Sequence, residues 1–323
     1  MKKLFLSGAL ALSLLLPSYT ATAVTKQALQ PKVQQVNIIK DGMYDNHNSY
    51  VDESQYSLEQ ILESVELIGH DIAYSISYED LDGQVYSTVE TVSTSGTGIV
   101  IEKKDGKAYI LTNNHVTKDN MPLNLQVPPC KWFKIEKTSD RLYIIKDGGI
   151  FQFFIKAKKV ASDSNLDTAL LEVEDSSTLK KFPYKIGNSD DLRAGDFIWI
   201  VGNPMGIIDY ALKGNVSKTD SNFSPDWFMI GCNVQPGYSG GAVVAIRDGE
   251  YELVGIVVAT IVRPQDQDGF PDALAGYGIA IKINPAMEMV NEYFNSLKKK
   301  DSTATATDQA KEQITIEEKI GNN

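Results

Sequence analysis

Cysteine, histidine and positive charge are all scarce in this chain of 323 residues. The two cysteines, Cys130 and Cys232, and the three histidines form no CxxC motif and no His/Cys cluster, so the ligand set of a structural zinc site is missing. Two cysteines permit one disulfide, and two free thiols satisfy the sequence equally well. Lysine and arginine number 31 against 42 acidic residues, a formal net charge of −11. That balance favours solubility and argues against a surface for nucleic acid. Long apolar runs are also lacking. The run Leu4–Leu16 falls short of the roughly 20 residues a bilayer-spanning helix needs.

What the N-terminus does have is an address. Met1-Lys2-Lys3, the apolar run, Pro17 and the small-residue site Ala21-Thr22-Ala23 make the pattern of a secretory signal peptide over 1–23. Its removal takes away two lysines and no acid, moving the formal charge from −11 to −13. The expected product is periplasmic or secreted, with no stable membrane anchor. Residues 24–56 read as an irregular polar arm, and 299–323 as a disordered tail too polar to bury a core.

Between these ends the pattern is that of strands. Ser57-Leu-Glu-Gln60 resembles a capping box, and Ile61, Leu62, Val65 and Ile68 share one helical face, which predicts a helix of about three turns. About a dozen short extended segments follow, from Asp71–Tyr78 to Gly278–Ile283. Several are joined by hairpin dipeptides: Asp82-Gly83, Asp105-Gly106, Asp147-Gly148 and Asp248-Gly249. This spacing predicts an all-β fold of antiparallel barrels or sandwiches rather than βαβ units. Asn284-Pro285 opens a closing helix, with Met287, Val290, Phe294 and Leu297 as the face expected to pack on a second barrel. The first barrel is placed at 57–180 and the second at 181–298.

Gln235-Pro-Gly-Tyr-Ser-Gly-Gly241 lies between two apolar strands. Its glycines allow positive φ and close approach of the backbone. Such a loop can expose the Ser239 hydroxyl beside two converging amides, those of Gly237 and Ser239, as acyl transfer requires. A glycine-rich hairpin turn accounts for the same residues without any chemistry. The choice turns on a base and an acid elsewhere. His47 sits in the polar arm and His70 follows the predicted first helix as a C-terminal cation. His115 ends the strand Tyr109–Thr112 and can project into a cleft. Asp167 enters an apolar strand, where an unpaired carboxylate would cost several kcal/mol, so it calls for a donor such as an imidazole. Histidine, aspartate and serine therefore occur in the chain order of the chymotrypsin-type triad, not the serine-first order of esterases.

Taken together, Gly96-Thr-Gly-Ile-Val100, Tyr109-Ile-Leu-Thr-Asn-Asn-His-Val116, Asn165-Leu-Asp-Thr-Ala-Leu-Leu171, Val201-Gly-Asn-Pro204, Gly214-Asn-Val-Ser217 and the Ser239 loop resemble the trypsin-like serine peptidases of the HtrA/Deg-like branch. The resemblance implies two perpendicular six-stranded barrels with a cleft between them. It carries His115 as base, Asp167 as orienting acid, Ser239 as nucleophile and the Gly237 and Ser239 amides as oxyanion hole. It also places Asn233 at the floor of a substrate pocket with Val257, Val258 and Ala259 along its wall, which favours a small or medium apolar P1 residue. Polypeptide substrates and no cofactor or metal are implied, and a trimer is compatible with the family. Departures are the lack of room for a PDZ domain after Lys298, a long stretch between His115 and Asp167, Tyr238 beside the serine, and a long acidic loop, 264–272. That loop lacks EF-hand spacing and reads as solvated. A catalytically silent peptide-binding protein on the same fold is the alternative.

Overall fold

The computed structural model describes residues 38–46, 50–119, 129–148, 151–221, 224–262 and 273–299, the side chains of 259–262 and 273–275 excepted. The signal peptide, most of the arm's first half, His47, the acidic loop and the tail beyond 299 lie outside the described residues. Among the described residues, no helix is long and apolar enough to cross a membrane.

Six antiparallel strands close a first barrel: β1 (Val65–Asp80), β2 (Val85–Lys104), β3 (Lys107–Asn113), β4 (Cys130–Asp147), β5 (Gln152–Asp163) and β6 (Thr168–Val173), in the ring order β1-β2-β3-β6-β5-β4. Ile68, Val100, Ile110, Ile144 and Leu171 fill it. β1, β2 and β4 run on past the ring as a three-stranded arm, with its own small core of Ile72, Tyr74 and Ile76.

The second sheet contains β7 (Lys185–Ile186), β8 (Phe197–Gly202), β9 (Tyr210–Lys218), β10 (Trp227–Gly231), β11 (Ala242–Arg247), β12 (Glu250–Val262) and β13 (Ala273–Lys282). Its order is β11-β8-β9-β10-β13-β12-β7, and a further β11–β12 pairing joins the ends, so six strands form a ring with β7 alongside. Ile198, Ile200, Val216, Phe228 and Val254 form its interior. A third cluster unites both sheets through Leu111 and Tyr109 on one side and Val201, Val244 and Ile281 on the other.

Three expectations need correction. The first helix, α1, is only Leu58–Leu62, capped by the Ser57 hydroxyl. Val65 and Ile68, expected on its apolar face, belong to β1, where Leu67, Ile68, Ile72, Tyr74 and Ile76 find a sheet to be buried in. His70 is consequently no helix-terminal cation. It is buried mid-strand with Nε2 2.9 Å from Asp140. Finally, the closing helix α2 (283–299) packs on the cluster shared by both sheets, with the Phe294 ring edge-on to Tyr109 of β3 at 4.8 Å. Asn284 does not serve as its simple cap; its side chain accepts from the Ser189 amide and donates to Asn188 and Asp190.

Part of the arm is anchored. Tyr44 pairs with Arg247 at the end of β11 and is 1% exposed. The Arg247 guanidinium lies 4.0 Å from the Tyr44 ring centroid, and the phenol donates to Glu252 at 2.8 Å. The two cysteines are free, Cys130 half-buried and Cys232 buried. Burial pushes the Cys232 thiol up to about 12, which makes it an inert core residue.

Candidate active site

The register of β3 against β6 sets the first part of the site. Asn113 stands opposite Thr168, so the residues just past each strand end, His115 and Asp167, become neighbours despite their separation in sequence. Asp167 adopts a left-handed backbone, φ 62°, a conformation uncommon outside glycine and characteristic of constrained sites. It is held there by its carbonyl, which accepts from the Asn114 amide and the Asn113 side chain, both at 3.1 Å. Its carboxylate then meets His115 twice: Oδ1 accepts the backbone amide at 2.9 Å, and Oδ2 contacts ring Nδ1 at 2.6 Å. A carboxylate can only accept, so the shared proton belongs to Nδ1, and Nε2 is left as the basic nitrogen. The histidine side chain is 45% exposed and that of Asp167 18%.

The Ser239 loop connects β10 to β11, and its backbone can be accounted for peptide by peptide. The Tyr238 amide donates to Gln235 O at 3.2 Å and the Gly241 amide to Tyr238 O at 2.7 Å. Each closes a turn with glycine at positive φ in its third position, Gly237 (98°) and Gly240 (86°), the type II pattern, with Pro236 where proline favours it. Pro236 O accepts from the Met205 amide at 2.8 Å, Gly237 O from the Thr97 hydroxyl at 2.7 Å, and Ser239 O from the Thr97 amide at 2.7 Å. The Gly240 amide donates to Val257 O at 2.8 Å. Every carbonyl from 236 to 239 is thus engaged. The amides of Gly237 and Ser239 donate to no acceptor among the described residues. In a trans peptide N–H and C=O point oppositely. These two amides therefore face away from Met205 and from Gly241, the partners of Pro236 O and Tyr238 O.

The hydroxyl of Ser239 donates to Val258 O at 2.9 Å, and no bond to the His115 ring is among its contacts. The loop is nonetheless docked beside the histidine: a Cβ on Gly96 would strike both Val116 and Ser239 O. Tyr238 turns its ring into the interior of the second barrel, where it is buried. Of the pocket residues, Asn233 is exposed, Val257 is enclosed in the core, Val258 is nearly so, and the Ala259 side chain is not described.

Two contributors were not singled out as site residues: Thr97, and the turn Asn203-Pro204-Met205-Gly206, whose Met205 amide orients Pro236 O. A threonine between two glycines was the available signal for the first. Away from Ser239 and the His115–Asp167 pair, a cavity of about 760 Å³ in the first barrel is lined in part by His70, Asp119 and Asp140. Ligand atoms of these three lie within 4.8 Å of one another. The Lys137 ammonium, 2.9 Å from Asp119 and 2.8 Å from Asp140, takes the place a cation would occupy there.

Comparison with known proteins gives the following likenesses. The family described as "Trypsin-like peptidase domain" matches residues 96–256, from β2 into β12. A "Probable periplasmic serine protease do/HhoA-like" of Haemophilus influenzae is 32% identical over 203 residues, 61% of this chain and 36% of that protein. The "Serine protease Do-like HtrA" of Bacillus subtilis is 30% identical over 217 residues, 64% of this chain and 40% of that protein. The chain thus spans well under half the length of these relatives. A solved structure titled "HtrA-type protease AlgW with decapeptide" aligns over 74% of this chain and 68% of that one, at 21% identity and a TM-score of 0.47. Through residues 96–256 the chain belongs to the trypsin-like peptidases, with relatives among the HtrA/Do-like serine proteases.

Proposed function

We propose that the protein is an exported serine endopeptidase that cleaves polypeptides through an acyl-enzyme formed on Ser239. The single observation that carries this reading is the backbone accounting of the Ser239 loop. From Pro236 to Gly241, the two amides without a described acceptor are those of Gly237 and Ser239, beside a hydroxyl and a His–Asp pair. Export is supported by the signal-peptide pattern and by the periplasmic description of the Haemophilus relative.

In this mechanism the Ser239 hydroxyl leaves Val258 O and turns to His115. Nε2 takes its proton as Oγ attacks the scissile carbonyl carbon. The carbonyl π pair moves onto oxygen, where the Gly237 and Ser239 amides stabilise it. Collapse breaks the C–N bond, and the leaving amine takes the proton from His115. Water, deprotonated by the same nitrogen, then hydrolyses the ester and regenerates Ser239. Asp167 stays ionised, holding the tautomer and balancing the imidazolium. Asn233 and Val258 support a small or medium apolar P1 residue, since an uncharged pocket does not offset the desolvation of a cation. A peptide library cleaved chiefly after arginine would contradict that preference.

The seat of the Ser239 hydroxyl on Val258 O favours one second reading, a latent or silent peptide-binding protein. Labelling of the full chain at neutral pH with a fluorophosphonate separates the two. The enzyme reading expects labelling that Ser239→Ala abolishes; a chain that does not label supports the binder.

A further inference from the structure

Thr97 lies in β2 of the first barrel, is fully buried, and spends all four of its hydrogen-bonding functions near the nucleophile. Its amide donates to Ser239 O at 2.7 Å. Its hydroxyl donates to Gly237 O at 2.7 Å and accepts from the Asn203 amide at 2.9 Å. Its carbonyl accepts from the Thr112 hydroxyl at 2.6 Å. The contact is also steric, because a Cβ on Gly240 would come within 2.0 Å of Thr97 O.

We propose that Thr97 is the positioning residue for the oxyanion hole, an inference that rests on the peptidase reading above. The argument follows the peptide planes. The Ser239 N–H is oriented by two neighbouring groups, Gly237–Tyr238 and Ser239–Gly240, and Thr97 holds the carbonyl of each. The Gly237 N–H is set by Pro236 O on the Met205 amide. Met205 belongs to the turn whose first residue, Asn203, is tied to the Thr97 hydroxyl. One side chain on the first barrel thereby fixes the loop of the second barrel and the turn that braces it. The hydroxyl must both donate and accept, which threonine and serine do and valine does not. Valine would leave Gly237 O and the Asn203 amide unpaired in a buried place, and the loop would be free to turn an amide away from the developing charge.

The test compares Thr97→Val and Thr97→Ser in the full chain, reading the second-order rate of fluorophosphonate labelling alongside the urea unfolding midpoint. Removal of an oxyanion donor typically costs about 10²–10³ in rate, so T97V is expected to label roughly 100-fold or more slowly while remaining folded. T97S is expected to stay within about threefold of the parent. Ile144→Val, a buried change in the core of the first barrel, controls for general loss of stability and should label at the parent rate. A folded T97V that labels like the parent overturns the proposal, as does I144V slowed as much as T97V. Should T97V not fold, the shape-matched pair Thr97→Cys and Thr97→Ser carries the test, and equal rates for the two overturn it. Labelling of the parent with no effect at position 97 removes only this inference; a parent that does not label removes the peptidase reading and this inference with it.

Discussion

Ser239 Oγ donates to the backbone carbonyl of Val258 at 2.9 Å, and Val258 is the residue at which β12 slips its register on β13. Val257 pairs with Ala280 and Ala259 with Ile279, so Val258 is the extra residue of a bulge. Bulges free a carbonyl from the ladder and recur beside active sites. Here the freed carbonyl gives the Ser239 hydroxyl a partner. A neutral hydrogen bond of this kind is worth about 1 kcal/mol net, and leaving it requires rotation about χ1, between staggered wells.

A change of side-chain rotamer as the first step predicts the onset of reaction. Side-chain rotation takes place in picoseconds to nanoseconds, so fluorophosphonate labelling should start without a lag on any stopped-flow or quench timescale. A lag of seconds, lengthening with no change in probe concentration, would instead require a backbone rearrangement before Ser239 can react.

Substitution of Asp167 should fall short of substitution at Ser239 or His115. In units of this kind, losing the nucleophile or base costs about 10⁶ in kcat. In Asp167→Asn, an amide nitrogen placed against Nδ1 donates where the carboxylate accepted. Nδ1 must then become the acceptor and the proton moves to Nε2, the wrong tautomer for a base. A loss of about 10⁴ is expected, measured on casein turnover with Ser239→Ala as the floor. Equal activity of D167N and the parent would remove Asp167 from the mechanism.

The parts of this fold that were legible in the sequence are those where one residue type had one reason to be present. Thr168–Val173 and Ala242–Arg247 are apolar runs without turn residues, and they are strands with those limits. The Ser239 loop announced itself because Pro-Gly and Gly-Gly fit only particular turns. What failed was anything decided by a distant partner. Ser93–Gly96 looks like a break, yet β2 runs through it because β1 pairs with it continuously. Cys130–Asp140 scatters three lysines and two acids around Trp132, Phe133 and Ile135 with no clean two-residue period, and is a strand because it borrows the other side of β1. The nearness of His115 and Asp167 could be anticipated from chemistry, whereas its cause, the Asn113–Thr168 register, exists only in three dimensions. Thr97 shows no role within its motif in the sequence, since one of its partners lies 140 residues away.

Tyr44 is the plainest case of a residue whose neighbours gave no hint of burial, and it yields a stability prediction. Tyr44→Ala removes a buried ring from beneath Arg247 and strips Glu252 of its phenol donor. Loss of a buried aromatic typically costs about 3–5 kcal/mol. Tyr44→Phe keeps the ring and should cost about 1–2 kcal/mol for the lost hydrogen bonds. Arg247 and Ala242 lie at opposite ends of β11, about 17 Å apart at strand rise, so folded Y44F should label at Ser239 like the parent. Urea midpoints in the opposite order would refute the anchoring role.

The pH dependence of stability should carry a contribution from Glu66. This carboxyl is buried at the start of β1, 2.9 Å from the Lys146 ammonium. Burial outweighs the pull of that ammonium and raises its pKa from 4.5 to about 7. The sign follows from proton counting. Between pH 4.5 and 7 the unfolded chain has lost this proton and the folded chain keeps it, so the unfolded state binds fewer protons and stability falls as pH rises. Full stability from this group is present below pH 4.5 and lost once pH passes 7. At about 1.4 kcal/mol per pKa unit the loss has an upper bound of about 3.5 kcal/mol. Asp45, raised to about 6 chiefly by burial, slopes the same way, so the informative quantity is the difference between parent and Glu66→Gln. Glutamine carries no charge to bury, and Lys146, partly exposed, can turn to water. Urea unfolding at pH 5 and pH 8 should show E66Q gaining on the parent by about 1–3 kcal/mol between the two. Parallel pH slopes for both proteins would mean that Glu66 stays ionised in its ion pair throughout.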